Sequence, residues 1–331
     1  MLKLDWPQVY RPELFQVVNG REVLEYIEFI FMERGKSNFM KAEFFLQKIK
    51  NDFPQIRWKK YRILTHGFDH IIIVLDEKII FRFPKDKKYQ SEFENEIQLL
   101  HYLKKKIKVG IPEYNYISKD KSIAGYNMVD GRELTFSLFR RLIASEKDTV
   151  AKQLAKFIST LHATPKSIII KYNVQSENQE KNYKKLVRDI KKLLFPRLQK
   201  KDIQLIEDYF AELKDALGHN YSNALIHNDL TWEHILWDKK KRKINIIDFS
   251  DRAFGDPAAD FAGLLEYGQK FMEQVFSLYR GKKDKHMLER SQLYFKRIPL
   301  SIMKNSMQGR PVTFEQGYRK FKKTFKRPFA K

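Results

Sequence analysis

Cysteine is absent from all 331 residues, which removes disulfides, thiolate metal sites and cysteine nucleophiles together. Zinc sites of the Cys/His type are excluded with it, and the eight histidines are scattered. No apolar run approaches the ~20 residues needed to cross a bilayer. The opening MLKLDWPQVYRPE lacks a basic segment followed by an apolar core, so no membrane partner and a cytoplasmic location are expected. Internal repeats and low-complexity segments are lacking as well. Acidic side chains are scarce beside basic ones, 41 against 64, leaving a formal charge of +23. Such an excess draws polyanions at range, and it suits nucleic acid, a nucleoside triphosphate or merely a lysine-rich surface. Much of it lies in solvated-looking runs at residues 104–106, 239–243 and the tail from Arg319.

A hydrophobic fraction of 43% supports a fully folded chain, and 331 residues exceed one ordinary core, so two packed lobes are expected. The most informative stretch is IHNDLTWEHIL at 226–236, followed by INIIDFSD at 244–251. It sets Asp229, His234 and Asp248 at fixed separations. In a protein-kinase catalytic loop a base aspartate precedes a metal-binding side chain by five positions, and a later strand-turn aspartate brings a second ligand to the same ions. That spacing lets Asp229 approach an acceptor hydroxyl while His234 and Asp248 converge on Mg²⁺ at nucleotide phosphates. Apolar runs at 224–226, 235–237 and 244–247 read as short buried strands that hold the loop.

Upstream, residues 42–49 read as an amphipathic helix, and 61–64, 71–75 and 79–83 as strands with a hairpin tip at Asp76-Glu77. A single glycine, Gly67, stands between strands where a kinase fold covers phosphates with backbone amides, a position an ordinary hairpin explains equally well. Residues 91–105 then form a helix capped by Ser91 with Phe93, Ile97, Leu100 and Leu103 on one face. Arg82 and Glu96 are the candidate cation and carboxylate of a phosphate-positioning pair; a plain ion pair is the bland alternative. Strands near 114–117 and 126–129 lead to an Asp-Gly turn, placing a purine-facing hinge at Asn127, Met128 and Val129. Helical stripes follow, with an exposed connector at 171–185. A helix near Pro257 capped by Asp256 would bury Asp260 against the catalytic loop.

The expected architecture is α+β, a bilobal protein-kinase-like fold with a small β-rich N-terminal lobe and a larger, mostly helical C-terminal lobe. Residues 1–38 are expected to form a helical extension, 39–127 the nucleotide-binding lobe and 128–331 the catalytic and substrate-binding lobe.

With HNDLTWEHIL, IIDFSDRAFGDPAADF, IIFRFPK and FENEIQLL in view, residues 40–320 resemble the aminoglycoside phosphotransferases. The 2''-phosphotransferase branch, in which histidine stands at the second metal position, is the most similar in appearance. Macrolide phosphotransferases are near relatives. The resemblance implies that Asp229 accepts or orients the hydroxyl proton, that His234 and Asp248 bind Mg²⁺, and that His227 and Asp260 orient the loop. It also implies that Asp251, Glu266, Tyr267 and Tyr294 line the substrate site. Arg82 stands where many relatives have lysine, and Ser250 replaces the glycine of a DFG-like turn. The nitrogen ligand leans the metal preference toward Mn²⁺. ATP and GTP both remain open as donor. A macrolide, another hydroxylated metabolite, or a non-catalytic nucleotide-regulated binding module remain alternatives to an aminoglycoside kinase. A monomer is expected.

Overall fold

The computed structural model describes residues 42–64, 70–310 and 312–326. Elements in chain order are α1 (Ala42–Asp52), β1 (Tyr61–Leu64), β2 (His70–Leu75), β3 (Ile79–Pro84), α2 (Lys87–Lys104), β4 (Tyr114–Ile117), β5 (Ala124–Asn127), β6 (Arg132–Glu133) and α3 (Phe136–Arg141). They continue as α4 (Ala144–His162), α5 (Lys166–Lys171), α6 (Gln179–Leu193), α7 (Lys200–Leu217), β7 (Ala224–Ile226), β8 (Ile235–Asp238), β9 (Lys243–Ile246) and β10 (Ala253–Gly255). The last are α8 (Ala259–Ala262), a 3₁₀ turn (Gly263–Tyr267), α9 (Gln269–Leu278), α10 (Met287–Met307) and α11 (Phe314–Phe325). These residues divide into two compact units, one up to 101 with 112–129, the other 102–111 with 130 onward.

The first unit is built on a five-stranded sheet in the order β1-β2-β3-β5-β4. The runs HIIIVL and IIFRFP supply β-branched and aromatic side chains, which suit a pleated, largely buried surface. Antiparallel pairing sets Ile73 opposite Phe81 and Ile72 opposite Arg82. The hairpin tip closes at Asp76 and Glu77, with φ of 49° and 53°. Leu75 pairs with Ile79 across the tip, the two positive φ values match the right-handed twist of the flanking strands, and the Asp76 carboxylate holds the tip by accepting the Lys59 and Lys60 amides at 3.0 and 2.8 Å. Phe45, Ile49 and Phe53 of α1 and its end pack on Phe81 and Phe83 to form this unit's core. The helix expected from Ser91 begins earlier, at Lys87, so Ser91 lies inside it rather than capping it. Gly67 and the extension at 1–38 lie outside the described residues.

The second unit is mostly helical. Its β-structure is confined to the sheet β6-β8-β9 and the pair β10-β7, and these short strands frame the HNDLTWEHIL loop. The α4 stripe Val150, Leu154, Phe157, Ile158 and Leu161 is buried, as is Ile206, Tyr209, Phe210 and Leu213 of α7. The connector expected at 171–185 is partly helical, since α6 starts at Gln179 behind an Asn178 cap that accepts the Lys181 amide. The tail is less solvated than its composition implies. Lys322 and Tyr318 of α11 reach the fully buried Asp202 at 2.6 and 2.7 Å, tying that helix to α7.

The α+β expectation is therefore borne out, with an antiparallel sheet in the first unit and helices dominating the second.

Candidate active site

Arg82 projects from the middle of β3 and is buried. Its Nη1 donates to Glu96 Oε1 at 2.7 Å and to the Tyr114 hydroxyl at 2.7 Å, and that hydroxyl donates onward to the same carboxylate oxygen at 3.1 Å. Nη2 meets His70 Nδ1 at 3.1 Å, and the guanidinium lies over the Phe93 ring. The pair is buried and held by additional hydrogen bonds, so it is not a surface ion pair, and removing either partner would leave an uncompensated buried charge. Burial and the neighbouring carboxylate push the Tyr114 hydroxyl well above its ordinary value despite the opposing Arg82. It therefore stays a neutral donor. At the other end of the sheet, the Met128 amide donates to the Lys78 carbonyl at 2.7 Å, and Asn127 pairs with Ile79 in register. Any purine contact must then come from groups other than the Met128 N–H.

In the second unit, Asp229 sits on the turn between β7 and β8. The Thr231 amide donates to the Asp229 carbonyl, and the His234 amide to the Thr231 carbonyl, at 2.9 and 3.1 Å. This tight turn carries His234 back beneath Asp229. His234 Nδ1–H donates to the Asp229 carbonyl at 2.7 Å and lies 3.3 Å from its Oδ2. Nε2 therefore faces Asp248 Oδ2 at 3.7 Å. Burial lowers the His234 pKa, but the carboxylates of Asp229 and Asp248, the Asp229 carbonyl and Glu233 outweigh it and raise it to about 9. Asp248 follows β9 with φ of 60°, a left-handed conformation that aspartate tolerates better than most side chains. The Ile247 amide donates to the His234 carbonyl at 3.0 Å, which keeps the two side chains side by side.

Asp260, fully buried at the start of α8, fastens the loop from behind. Its Oδ2 accepts the His227 amide at 2.9 Å and His162 Nε2 at 3.0 Å, while Oδ1 accepts the Asn228 amide at 2.8 Å. Burial opposes its charge, yet His162 and His227 outweigh that and lower its pKa. His227 is lowered by burial, so its neutral ring contacts the Ile247 carbonyl through Nε2 at 3.1 Å and rests against Phe249. The catalytic loop and the Asp248 strand are thus joined through one ring. Gly263 completes the fit: a Cβ there would stand 2.2 Å from the Leu230 carbonyl oxygen, so only glycine lets the 3₁₀ turn approach the loop.

Not all expected contacts converge here. Asp251 is exposed, and its carbonyl accepts Asn228 Nδ2 at 3.1 Å. Glu266 is engaged by Lys320. Tyr267 and Tyr294 are corrections: both are core side chains, 6% and 3% exposed. The Tyr267 hydroxyl donates to the Leu134 carbonyl at 2.7 Å, and that of Tyr294 to Asp256 Oδ2 at 2.8 Å. Aromatic residues at helical spacing here fill the interior instead of lining a site. Asp256, expected to cap the helix near Pro257, accepts the Ala258 amide in the turn before it, while the helix itself starts at Ala259 with no side-chain cap; its main partner is Arg290, which was not anticipated. His162, Asn228, Glu177, whose carboxylate accepts Asn228 Nδ2 at 3.1 Å, and Glu133 also escaped notice. His162 merely ends an apolar stripe, which carries no signal for its partner 98 residues away.

Glu133 Oε1 is buried without a partner, and burial, then Glu233, raise its pKa to about 7 against the opposing His234. The folded state therefore holds this proton more tightly than the unfolded chain, whose carboxyl titrates near 4.5. The associated stability is complete below that value and is lost as pH rises through about 7. Glu133→Gln is expected to gain stability relative to the parent between pH 5 and 8, by about 1–2 kcal/mol given its partial exposure. Parallel thermal melts across that range test this; a pH-independent difference would refute it.

A divalent cation fits the chemistry of this donor set. His234 Nε2 and Asp248 Oδ2 converge, and a metal would take the place of the Nε2 proton. No group of three or more His, Asp or Glu side chains among the described residues is arranged to hold a metal ion. Two protein ligands accord with Mg²⁺, which retains waters and binds through substrate phosphates rather than within an all-protein cage.

Among known proteins, the phosphotransferase enzyme family model matches residues 60–285, spanning both Arg82 and Asp248. The chain belongs to the phosphotransferase enzyme family. The resemblance read from the motifs is borne out. Among solved structures, a GDP and kanamycin complex of an APH(2'') enzyme matches with a TM-score of 0.75 and 27% identity, over 85% of this chain and 97% of the other. The GDP complex of wild-type aminoglycoside 2'-phosphotransferase-IIIa matches at 0.75 and 28%, over 86% and 99%. A macrolide 2'-phosphotransferase of type I matches at 0.62 and 15%, over 86% and 98%, a likeness of fold alone. No helix of the phosphotransferase's described residues is long and apolar enough to cross a membrane.

Proposed function

We propose that this phosphotransferase transfers the γ-phosphoryl group of a purine nucleoside triphosphate to a hydroxyl of an aminoglycoside. The observation that carries the reading is the Asp229 carboxylate, 41% exposed, standing on a turn whose backbone is held by Asp260 and whose carbonyl fixes His234. An exposed carboxylate on an immobilised loop is what orienting an acceptor hydroxyl requires. As the acceptor oxygen bonds to the γ-phosphorus and the β–γ bridge bond breaks, Asp229 takes the hydroxyl proton. His234 and Asp248 would hold Mg²⁺, which supplies neutralisation of charge on the phosphates. Arg82, kept in place by Glu96 and Tyr114, presents its fork to phosphate oxygens. Arginine does this bidentately where lysine offers a point charge.

GTP is the first donor to test, since solved relatives at 27–28% identity were captured with GDP. The kanamycin complex favours an aminoglycoside over a macrolide. A chain of charge +23 repels a polycation at range, so local acids must overcome that field. Asp251 and Glu266 are proposed to meet substrate amines, with Glu266 exchanging Lys320 for an ammonium group of the drug. The deciding experiment is turnover of GTP and ATP by purified protein with Mg²⁺ across 4,6- and 4,5-disubstituted aminoglycosides and macrolides. Stimulation by one aminoglycoside class is expected. Stimulation only by macrolides, or by none with nucleotide still bound, overturns the acceptor assignment.

A further inference from the structure

Away from the catalytic loop, the second unit carries a cleft of 690 Å³ bordered by the end of α2, the face of α4 and the end of α9. Lys106, Lys152, Lys156 and Arg280 line it, and no acidic side chain does. Lys152 and Lys156 are four residues apart on α4, so both project from one face. Like charges at that spacing destabilise a helix, and the cost rises when two further cations close the ring. Only Lys152 finds a carboxylate, Asp148, at 2.6 Å, and that pair is exposed and weak. Among the described residues no acid pairs with Lys106, Lys156 or Arg280. The walls are not uniformly charged. Tyr102, half-buried, offers a ring edge, Thr164 a hydroxyl and Leu103 an apolar floor.

We infer that this cleft is a second binding site, for a small molecule bearing two or more phosphate groups. The volume lies within the range of small-ligand pockets, about 300–1,000 Å³. Four separated cations match several anionic groups better than one, and ammonium groups bind phosphate as point charges. An open but localised cleft also differs from the extended basic stripe that tracks a nucleic-acid backbone. The inference does not rest on the acceptor assigned above, because none of these residues belongs to the catalytic loop or the Arg82 cluster.

The test is calorimetric titration of the full chain with sodium tripolyphosphate in the absence of divalent cations. Binding with a dissociation constant on the order of 0.1 mM is expected. The double variant Lys152→Glu with Lys156→Glu should weaken it about tenfold or more, as loss of two charge-assisted contacts implies. Arg280→Gln should weaken it as well. A control with equal charge change, Lys239→Glu with Lys240→Glu, should stay within about twofold of the parent. Melting temperatures of all variants should match, since these side chains are exposed. Equal weakening in cleft and control variants would mean bulk charge alone and overturn the site. So would absence of binding, or a cleft variant that loses affinity for single-stranded RNA while tripolyphosphate binding is unmoved.

Discussion

Asp229→Asn is expected to lower kcat by about 10²–10⁴-fold, the usual contribution of a positioned general base, while nucleotide affinity changes little. The substitution keeps the backbone carbonyl that accepts His234 Nδ1–H and leaves the Asp260 anchors to His227 and Asn228 untouched. The loop therefore holds its shape, and only the proton acceptor is lost. Steady-state kinetics with varied nucleotide, together with a thermal melt, separate the two effects. A fall in melting temperature, or a loss of nucleotide binding as large as the loss of turnover, would make Asp229 a structural residue. The contrasting variant is Asp260→Asn: among the described residues its carboxylate touches only loop backbone and His162, so it acts by position.

Arg290→Met is expected to be the most destabilising single change, by roughly 3–5 kcal/mol, because it leaves the buried Asp256 carboxylate and the partly buried Asp284 without their counter-charge. Arg290 is fully buried. Its Nε and Nη2 donate to the two oxygens of Asp256 at 2.6 and 3.0 Å, and Nη1 and Nη2 to those of Asp284 at 2.8 Å each. Asp256 is itself fully buried and also accepts the Tyr294 hydroxyl. Burial opposes the Arg290 charge, but these two carboxylates overcome it and push the pKa above its ordinary value. Losing about 3–5 kcal/mol corresponds to a melting temperature lower by roughly 6–20 °C. Adding Asp256→Asn should restore part of the loss, since the buried negative charge is then gone. A single variant that melts with the parent, or a double variant that melts lower still, contradicts this account. Because Asp256 precedes α8, which carries Asp260, the single variant should also lose activity at temperatures below its melt.

Chain-local features were legible. The strands 61–64 and 79–83 declared themselves through apolar, β-branched runs, and the Asp229, His234 and Asp248 spacing named the chemistry before any contact was known. Arg82 and Glu96 were found because a kinase carries a cation on its third strand and a glutamate on the helix that follows. The misreadings have a common cause. Tyr267 and Tyr294 sit in aromatic helical segments whose periodicity says that one face is buried but not what covers it. Asp256 looked like a helix cap, but the helix begins later, at Ala259 behind Ala258, and the Asp256 carboxylate serves the preceding turn and Arg290, 34 positions on. The tail lysines looked solvated because Asp202, whose carboxylate receives Lys322, stands 120 residues earlier.

Local order along the chain thus determined the secondary elements, the α+β class, the family and the candidate side chains for the chemistry, since turn geometry and short spacings act between near neighbours. Long-range packing decided the rest: that His162 and Asp260 clamp the catalytic loop, that Glu133 is stranded without a partner, that Arg290 is neutralised by two aspartates, and that four cations ring one cleft. Those facts depend on which distant segments exclude water together. Burial fixes the energy of a charge and the proton affinity of an acid, and it exists only after the chain has folded.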